Sequence, residues 1–388
     1  MLISSGSDEN KLYFKNDKLY RYVPIKPKNR RWDGLYKFML SDVFTEMQHN
    51  RLIPKHNLVD IQNENLIYEV EIVKYISRPW EHTTCQNIEL LKTTCDINHI
   101  LRESEFSFTD CGIHQFAFDG TVPLLLDIGS IDKFPEQLIW SIEVFVRNCE
   151  KYCRYNLYEI ITAARKLDWI ECKKLLIECY ETETYSIEKD YWADYPKPLD
   201  HEINALKAEL SKYQFDSVVD LGGHCGYIAM NLFRNKKCVV IDMSEFALTT
   251  GYNNTKIVGL KHNFVRLDLS NPFNQMSIPQ EHNLHRSHIH ANWLSRFNSD
   301  AVFASSILHH LLKNGMTLSE IMSIIRSISN RYIFLEFIAH TDPHMIGSYG
   351  PEISIQSIID LLPGWKLINK FNNESEHRFW LIIENQST

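Results

Sequence analysis

In the C-terminal half of the chain, short apolar runs alternate with amphipathic segments. The apolar pair Val218 and Val219 leads into a glycine-rich turn, and apolar residues then recur at helical spacing from Tyr227 to Phe233. Short apolar runs bounded by turn residues are typical of buried strands, and recurrence every three or four residues is typical of helices. The order strand, tight turn, helix predicts the first unit of a doubly wound α/β domain. Further strands are predicted at 238–242, 264–268, 299–306, 331–337, 365–371 and 378–383, and helices at 199–215 and 353–361.

The N-terminal half has a mixed pattern that predicts an α+β fold. Aromatic and β-branched residues mark strands, and apolar residues at helical spacing mark helices. Pro196 and Pro198 then interrupt the helical pattern, so we predict an accessory or acceptor-binding domain at 1–200 and a second domain at 201–388. The predicted N-terminal elements are a strand or hairpin at 11–23, strands at 66–76 and 122–126, and helices at 33–48, 86–102 and over most of 134–180.

The composition is ordinary for a globular protein. The 388 residues are 44% hydrophobic and 23% charged, with a net charge of −8, which argues against a general nucleic-acid binder because such proteins are basic. The nine cysteines show no metal-like pairing. The N-terminus lacks the apolar run of a signal peptide, and no apolar stretch reaches the roughly 18 residues of a membrane span. We expect a cytoplasmic protein with reduced thiols and no membrane association; its oligomeric state is left open.

The turn after the first predicted strand carries Gly222, Gly223 and Gly226 behind Asp220. Glycine lets the backbone approach a ligand and tolerates positive φ, and the first turn of the next helix presents N–H groups. A glycine-rich turn alone is weak evidence. The acid that ends the second strand, Asp242, strengthens it, because an acid there can accept hydrogen bonds from both hydroxyls of a ribose.

This ordered set of strands, glycines and acids, with Asp268 closing the third strand, resembles the class I S-adenosylmethionine-dependent methyltransferases. The resemblance covers about residues 203 to 385 and departs at His224, which stands where the family has the middle glycine of G-x-G-x-G. It implies a Rossmann-like seven-stranded C-terminal domain that uses S-adenosyl-L-methionine to methylate an oxygen or nitrogen acceptor. A non-catalytic binding protein with this fold is one alternative, and the intact glycines and acids speak against it.

The resemblance also implies which residues would contact the cofactor. The glycine-rich turn would pass under the methionine part, with Asp220 below its amino group. Asp242 would take the ribose hydroxyls, Asp268 would accept from the adenine amino group, and the end of the fourth strand would face the methyl group. The full set is Asp220, Gly222, Gly223, His224, Gly226, Asp242, Met243, Asp268, Leu269, Ala304 and Ser305, with Leu267 as the alternative to Leu269 against the adenine ring.

A narrower likeness is to the methyltransferases related to the nodulation protein NoeA. In the C-terminal half it rests on Leu308-His-His-Leu311, Met316-Thr-Leu318, Phe334-Leu-Glu-Phe337 and Thr341-Asp-Pro343. In the N-terminal half the likeness is weaker and rests on Pro79-Trp-Glu81, Phe108-Thr-Asp-Cys111 and the segment from Pro123 to Ser130.

Two histidines follow the fourth predicted strand, where acceptors usually lie. A hydroxyl acceptor would need a base with a pKa near the working pH, so His309 and His310 are the predicted catalytic residues. An amine acceptor would need less help, and either histidine could instead be a packed core residue; Glu336 and His340 are the next candidates. The chain reads Ala304-Ser-Ser-Ile307 after the fourth strand, without an Asn/Asp-Pro-Pro-aromatic motif, which favours a small-molecule, sugar or peptide acceptor.

The N-terminal half contains a segment similar to part of a protein kinase. Asp110 is followed five residues later by Gln115, and after a turn at Asp119-Gly120 a predicted strand ends in Asp127-Ile-Gly129. Kinases carry Asp-x4-Asn and then Asp-Phe-Gly at this spacing, where the residues place the base and the magnesium ions. No glycine-rich loop or strand lysine precedes the segment. The alternatives are therefore a bifunctional kinase–methyltransferase, a hairpin whose acids cap turns, and a kinase-like hairpin reused as scaffold or acceptor pocket.

The long connection 271–298 carries four histidines, His282, His285, His288 and His290. Four histidines this close suggest a metal site. However, the connection has neither helical nor strand spacing, and zinc ligands are usually fixed by rigid elements. We therefore predict an insertion that faces the acceptor, and no metal site.

Overall fold

The computed structural model describes residues 2–4, 11–26, 30–133, 138–194, 198–270, 293–345, 349–372 and 376–387. The chain divides into two compact units, Met1–Ile187 and Glu188–Thr388. In the described part of the chain, no helix combines the length and the apolar character needed to cross a lipid bilayer.

The N-terminal unit contains an antiparallel sheet, two short antiparallel strand pairs and a set of helices. The sheet has the order β1-β2-β3-β5-β4, and β6 pairs with β9 as β7 pairs with β8. Its strands are Leu2–Ser4 (β1), Lys11–Lys15 (β2), Lys18–Pro24 (β3), His56–Gln62 (β4), Asn65–Val70 (β5), Ser107–Phe108 (β6), Phe116–Asp119 (β7), Val122–Leu125 (β8) and Ile131–Asp132 (β9). Its helices are Arg30–Met39 (α1), Asp42–His49 (α2), Thr84–Arg102 (α3), Leu138–Tyr152 (α4), Leu157–Arg165 (α5) and Trp169–Ser186 (α6).

The helix predicted at 33–48 is two helices, α1 and α2. Ser41 between them has an extended backbone (φ −87°, ψ 159°), and its hydroxyl accepts a hydrogen bond from the Phe44 N–H at 3.3 Å. A serine in this position starts a new helix, because it satisfies an N–H group of the first turn. The helical segment predicted over 134–180 is also interrupted, at Asn156 and Leu167, whose φ angles of 54° and 57° are left-handed. Residues 134–137 of that prediction lie outside the described residues.

The other predicted N-terminal elements are confirmed with shifted ends. The hairpin of β2 and β3, the helix α3 and the hairpin of β7 and β8 lie where the pattern placed them. The strand predicted at 66–76 ends early, at Val70. Beyond it, the Glu71 N–H donates to the Lys55 carbonyl at 2.8 Å, and the Glu71 carboxylate accepts hydrogen bonds from Arg51 Nη1 at 2.6 Å and from the Lys55 N–H at 3.0 Å.

The C-terminal unit is a twisted mixed sheet with helices between its strands. Its strands are Ser217–Leu221 (β10), Lys237–Asp242 (β11), His262–Arg266 (β12), Ser299–Ala304 (β13), Ser329–Ile338 (β14), Trp365–Asn372 (β15) and Arg378–Asn385 (β16). Its helices are Asp200–Leu210 (α7), Tyr227–Leu232 (α8), Glu245–Ile257 (α9), Trp293–Arg296 (α10), Leu308–Lys313 (α11), Leu318–Ile328 (α12) and Ile355–Asp360 (α13).

The sheet of the C-terminal unit has the order β12-β11-β10-β13-β14-β16-β15. Strands β10 to β14 run parallel to one another, and β16 is antiparallel to both β14 and β15. Every residue of β10 is buried, as expected for a strand covered on both faces, whereas the edge strand β15 alternates between half-buried and exposed positions. The strand order reverses between β10 and β13, and in open α/β sheets the ligand site lies at the carboxyl ends of the strands at such a point.

The segment before α7 belongs to the C-terminal unit by its contacts. Lys189 Nζ lies 5.9 Å from the centre of the Phe246 ring, and the Trp192 ring packs edge-on against His310 with 4.7 Å between ring centres. The division between the units therefore comes at residues 187 and 188, before the Pro196–Pro198 region that suggested a boundary near residue 200. The domain ranges 1–200 and 201–388 stay a prediction.

Candidate functional site

The carboxyl ends of the central strands of the C-terminal unit surround a cavity of about 320 Å³. Cavities that bind small molecules have volumes of about 300–1,000 Å³. The wall is formed by the segments that follow the first five strands, by the segment before β10, by α11 and by the first residues of β16. The cavity thus lies at the point where the strand order reverses.

The glycine-rich turn after β10 forms the floor of this cavity. The N–H groups of Gly222 and Gly223 both donate to the Ile241 carbonyl, at 2.8 and 3.3 Å, which ties the turn to β11. Gly222 has a φ of +67°, and a Cβ added there would lie 2.7 Å from Ile307 Cδ1. A Cβ on Gly223 would lie 2.5 Å from an oxygen of Asp220. Side chains at these two positions would therefore displace the walls of the cavity.

His224, at the position of the family's middle glycine, keeps the shape of the turn. Its φ of 52° is left-handed, and its N–H donates to Asp242 Oδ2 at 2.8 Å. Burial opposes the charged ring, but hydrogen bonding to Cys225, the charge of Asp242 and a bond to the Trp192 backbone together raise the pKa of His224 above its ordinary value. The ring of His224 lines the cavity without closing it.

Three carboxylates from three neighbouring strands line the same cavity: Asp220, Asp242 and Asp268. Asp242 Oδ1 accepts from the Ser244 N–H at 2.9 Å, and Asp268 Oδ1 accepts from the N–H and hydroxyl of Ser270 at 2.9 and 2.6 Å. Burial raises the pKa of Asp242, and its backbone N–H donors limit the rise. Parallel strands end at one edge of the sheet, so the three acids converge.

Asp220 differs from the other two acids because its charge is not compensated. Its Oδ2 is buried and has no hydrogen-bond partner among the described residues. Burial, and secondarily the charge of Asp242, raise the pKa of Asp220 from 3.8 to about 7. A buried carboxyl without a partner is costly for the free protein, and the cationic group of a ligand would compensate it.

The remaining predicted residues are divided between the cavity wall and the layer behind it. Met243, Leu269, Ser305 and His310 line the cavity, as does Leu267. Gly226, Ala304 and His309 do not belong to the wall: Gly226 precedes α8 with a φ of +67°, and Ala304 and His309 are buried. The cofactor-binding and catalytic roles of these residues stay predictions.

The two histidines of α11 are in different environments. Their ring centres are 3.9 Å apart, but only His310 reaches the cavity. Burial, and then the charge of His310, lower the pKa of His309 to about 3. Burial and Lys313 also lower the pKa of His310, so its ring is neutral at pH 7 and can accept a proton. Of the two, only His310 lines the cavity.

Glu336 has a more central place than the sequence suggested. It is buried, lines the cavity, and its Oε2 accepts hydrogen bonds from the hydroxyls of Ser305 and Ser306, each at 2.8 Å. Successive side chains of an extended strand point in opposite directions. Here the left-handed φ of 51° at Ser306 turns the chain after β13, so that both hydroxyls reach one oxygen. Non-glycine residues with such backbone angles cluster at functional sites.

Three further lining residues gave no signal in the sequence: Trp192, Arg378 and Trp380. Trp192 comes from a segment that resembles a linker, and the other two begin a predicted strand that carries no motif of a binding site. Their position depends on which distant segment they pack against. No local pattern could have identified them.

The kinase-like segment of the N-terminal unit has its acids engaged within the chain. Asp110 accepts hydrogen bonds from the Gly112 N–H at 3.1 Å and from Gln115 Nε2 at 2.6 Å. Asp127 accepts from the Gly129 N–H at 3.0 Å and caps a short 3-10 turn. Arg21 of β3 is buried near Asp127: burial lowers the pKa of Arg21 to about 10, and the charge of Asp127 opposes that shift.

Within the described ranges, no group of three or more His, Cys, Asp or Glu side chains could hold a metal ion. The histidine-rich stretch with His282, His285, His288 and His290 lies outside the described residues. All nine cysteines are buried and free of disulfides.

Comparison with solved structures finds similarity to S-adenosylmethionine-dependent methyltransferases. The bifunctional kinase-methyltransferase WbdD matches with a TM-score of 0.36 and 12% identity over 52% of this chain and 43% of that chain. Magnesium protoporphyrin IX methyltransferase (ChlM) from Synechocystis PCC 6803, with bound SAH, matches with a TM-score of 0.34 and 14% identity over 53% of this chain and 92% of that chain. An S-adenosylmethionine-dependent methyltransferase from Clostridium acetobutylicum ATCC 824 matches with a TM-score of 0.36 and 12% identity over 53% of this chain and 98% of that chain.

The match to WbdD spans less than half of the WbdD chain. No protein-family model matches the sequence, and no curated protein matches it. At TM-scores below 0.5 the similarities do not bear on function, so any functional assignment has to rest on the strand order and the cavity of the C-terminal unit.

Proposed function

We propose that the C-terminal unit is an S-adenosyl-L-methionine-dependent methyltransferase. The observation that carries the proposal is that the glycine-rich turn and the acids Asp220, Asp242 and Asp268 line one cavity. That cavity lies where the strand order reverses, the place at which open α/β sheets bind nucleotides. Had the three acids pointed to separate regions of the surface, the proposal would have failed.

The residues present fit this cofactor. The two glycines whose added Cβ atoms would clash with the cavity wall leave backbone surface for the methionine part. Asp220 supplies a buried carboxylate oxygen without a partner, which suits an ammonium group. Asp242 would accept from the ribose hydroxyls, and Asp268 with Leu267 or Leu269 would hold the adenine.

The bound cofactor would supply an electrophilic methyl group on a sulfonium. The protein would contribute mainly by positioning the acceptor in line with that group. Ser305, Ser306 and Glu336 form a hydrogen-bonded set in the cavity wall. Glu336 and His310 would be the groups that take a proton from a hydroxyl or amine acceptor. We propose a small molecule, sugar or peptide as acceptor, because the chain reads Ala304-Ser-Ser-Ile307 in place of an Asn/Asp-Pro-Pro-aromatic motif and has a net charge of −8.

The direct test is a calorimetric titration of the full chain with S-adenosylmethionine and with S-adenosylhomocysteine. We expect both to bind at a single site per chain, because both carry the groups that the three acids would hold. S-adenosylhomocysteine avoids turnover and gives the cleaner isotherm. Absence of heat and of any thermal stabilisation with either compound at millimolar concentration would end the proposal.

Replacing Trp192 by alanine is expected to weaken S-adenosylhomocysteine binding about tenfold. The Trp192 ring lines the cavity and packs edge-on against His310. Losing about 50 Å² of apolar contact with the ligand weakens binding by roughly 1.3 kcal/mol. The measurement is the calorimetric Kd of Trp192→Ala. The matched control is Tyr185→Ala, because the Tyr185 ring is 90% exposed and does not line the cavity. Equal affinities of the two variants would remove Trp192 from the site.

A phosphotransfer activity of the N-terminal unit is the second candidate, favoured by the buried Arg21 near Asp127. Against it, both oxygens of Asp110 already accept hydrogen bonds from Gly112 and Gln115, and Gln115 stands where kinases have an asparagine. We expect no magnesium-dependent ATP binding by the full chain in a titration with and without magnesium. Binding that disappears in Asp127→Ala would instead establish the bifunctional alternative.

A non-catalytic binding protein is the third possibility. The buried Glu336 with its two serine donors argues against it, because an interaction surface has no need of such a group inside a cavity. Transfer of a radiolabelled methyl group to any acceptor in a fractionated small-molecule extract would decide in favour of the enzyme.

A further inference from the structure

The cavity extends beyond the part that the cofactor would fill. Neighbouring strands are about 4.7–4.9 Å apart, and in the order β12-β11-β10-β13 the cofactor would occupy the ends of four strands. The lining continues past Ser305 to Glu336 at the end of β14 and to Arg378 and Trp380 at the start of β16. That is two further strand spacings, on the order of 10 Å, which is enough for the acceptor.

The far end of the cavity contains the one side chain of the described lining that is always cationic, Arg378. Among the lining residues in the described ranges, Arg378 is the only arginine or lysine, whereas the carboxylates are Glu202, Asp220, Asp242, Asp268 and Glu336. A general attraction for anions is therefore absent from most of the cavity. An anionic group entering it would be directed to one position, beside Arg378.

Arg378 is held in place by a buried acid. Its Nε donates to Asp342 Oδ2 at 3.1 Å, with the Arg378 side chain 32% exposed and that of Asp342 4% exposed. Among the described residues, Asp342 is the ion-pair partner of Arg378, and Glu336 forms no ion pair with Arg378. A guanidinium anchored through Nε keeps its two terminal nitrogens for a second partner, and their fork fits a carboxylate or a phosphate.

Trp380 offers a second donor on the same side of the sheet. In the register of β14 and β16, Glu336 lies opposite Trp380 and Ile338 lies opposite Arg378, so these side chains share one face. The Trp380 ring stacks on Phe303 at 4.8 Å. Its buried Nε1 has no hydrogen-bond acceptor among the described residues. An indole N–H can only donate, and leaving it unbonded is unfavourable.

We infer that Arg378 and Trp380 together bind an anionic group, a carboxylate or a phosphate, of the methyl acceptor. The inference rests on the proposed function. Both residues can only donate hydrogen bonds, both line the same end of the cavity, and the reactive group of the acceptor would lie between them and Ser305, next to Glu336. The acceptor is then an acidic small molecule or an acidic end of a sugar or peptide.

The test uses the full chain saturated with S-adenosylhomocysteine, so that the cofactor end is filled. Inorganic phosphate and acetate are titrated separately at constant ionic strength, and binding is followed by the rise in melting temperature. We expect one of the two anions to bind, with at least about tenfold weaker binding in Arg378→Gln, since hydrogen bonds to charged groups are the strong ones. Binding of phosphate alone identifies a phosphorylated acceptor, and binding of acetate alone a carboxylic acid.

Two further variants keep the result interpretable. Arg331→Gln removes an arginine of β14 that pairs with Glu384 outside the cavity and should bind anions like the wild type. Trp380→Phe keeps an aromatic ring against Phe303 and removes the N–H together with the five-membered ring that carries it, so it should weaken anion binding severalfold even if Arg378→Gln is unstable; a melting curve checks that it is folded. The inference would be overturned if wild type, Arg378→Gln and Trp380→Phe had the same affinity for the anions. If S-adenosylhomocysteine affinity were also unchanged in the variants, the proposed function would remain intact. Loss of S-adenosylhomocysteine binding by the wild type would overturn the proposed function itself.

Discussion

Replacing Asp242 by alanine is expected to weaken S-adenosylhomocysteine binding by a factor of more than about 100. Each hydrogen bond from a ribose hydroxyl to this carboxylate is worth about 1.5–3 kcal/mol, and two are lost, so the total is about 3 kcal/mol or more. The change also removes the acceptor for the His224 and Ser244 N–H groups, which shape the glycine-rich turn. The effect should therefore exceed that of any substitution at the acceptor end.

The measurement for Asp242 is a calorimetric Kd, accompanied by a melting curve that shows the variant is folded. Asp242→Asn separates charge from shape, because the amide oxygen can still accept from one N–H group; we expect it to bind more weakly than wild type and more tightly than Asp242→Ala. Asp360→Ala, at an exposed acid of α13 outside the cavity, is the control. Wild-type affinity in Asp242→Ala would contradict the assignment of the nucleoside to this edge of the sheet.

Asp220→Asn is expected to change stability and binding in opposite directions. The carboxyl of Asp220 is buried without a partner for Oδ2, so above pH 7 the free protein contains an uncompensated charge. The folded pKa of about 7 against an ordinary value of 3.8 corresponds to an upper limit of about 4 kcal/mol. The amide retains part of the burial penalty, so we expect a gain on the order of 2 kcal/mol at pH 8, or about 4–8 °C in melting temperature.

The pH dependence follows from the raised pKa of Asp220. A proton bound to the folded protein stabilises it, and that contribution is fully present below the unfolded pKa of 3.8 and is lost as the pH rises through about 7. The advantage of Asp220→Asn should therefore shrink between pH 8 and pH 5. If the melting temperatures of wild type and variant stay equal at pH 8, the carboxylate is not isolated in the way described.

The same carboxylate should make cofactor binding depend on pH. A ligand with an ammonium group binds the ionised form of Asp220, so the apparent Kd of wild type for S-adenosylhomocysteine should rise about tenfold from pH 8 to pH 6. Binding near pH 6 should release protons, measurable by calorimetry in buffers of different ionisation enthalpy. Asp220→Asn should bind more weakly than wild type at pH 8 and show neither effect. Asp360→Asn serves as the control for both.

The strands of the C-terminal unit could be recognised in the sequence because they are buried on both faces. Runs such as Cys238 to Ile241 contain no polar residue, and such a run between turn signals is readable in a short window. The acids at the ends of these runs could also be placed, because the carboxyl ends of parallel strands meet at one edge. The convergence of Asp220, Asp242 and Asp268 follows from that rule.

Smaller local errors had local causes. The single helix predicted at 33–48 overlooked the capping role of Ser41, whose hydroxyl competes for the N–H of Phe44. The later helical segment is divided at Asn156 and Leu167, which have left-handed backbones. Neither residue is a glycine or a proline, so the sequence did not indicate these breaks. In each case the apolar residues kept their helical spacing across the break, so the pattern predicted one continuous helix.

By itself the sequence determined the succession of strands and helices, the glycine-rich turn and the acids at its edge, because each depends on neighbours within a few residues. Only the tertiary structure decided that Arg378 and Trp380 lie on the same face of the sheet as Glu336, that Trp192 reaches the cavity and that His310 rather than His309 lines it. Those contacts join residues far apart along the chain. They are set by the antiparallel direction and register of β16 and by packing around α11, where the free energy depends on partners that no short stretch of sequence contains.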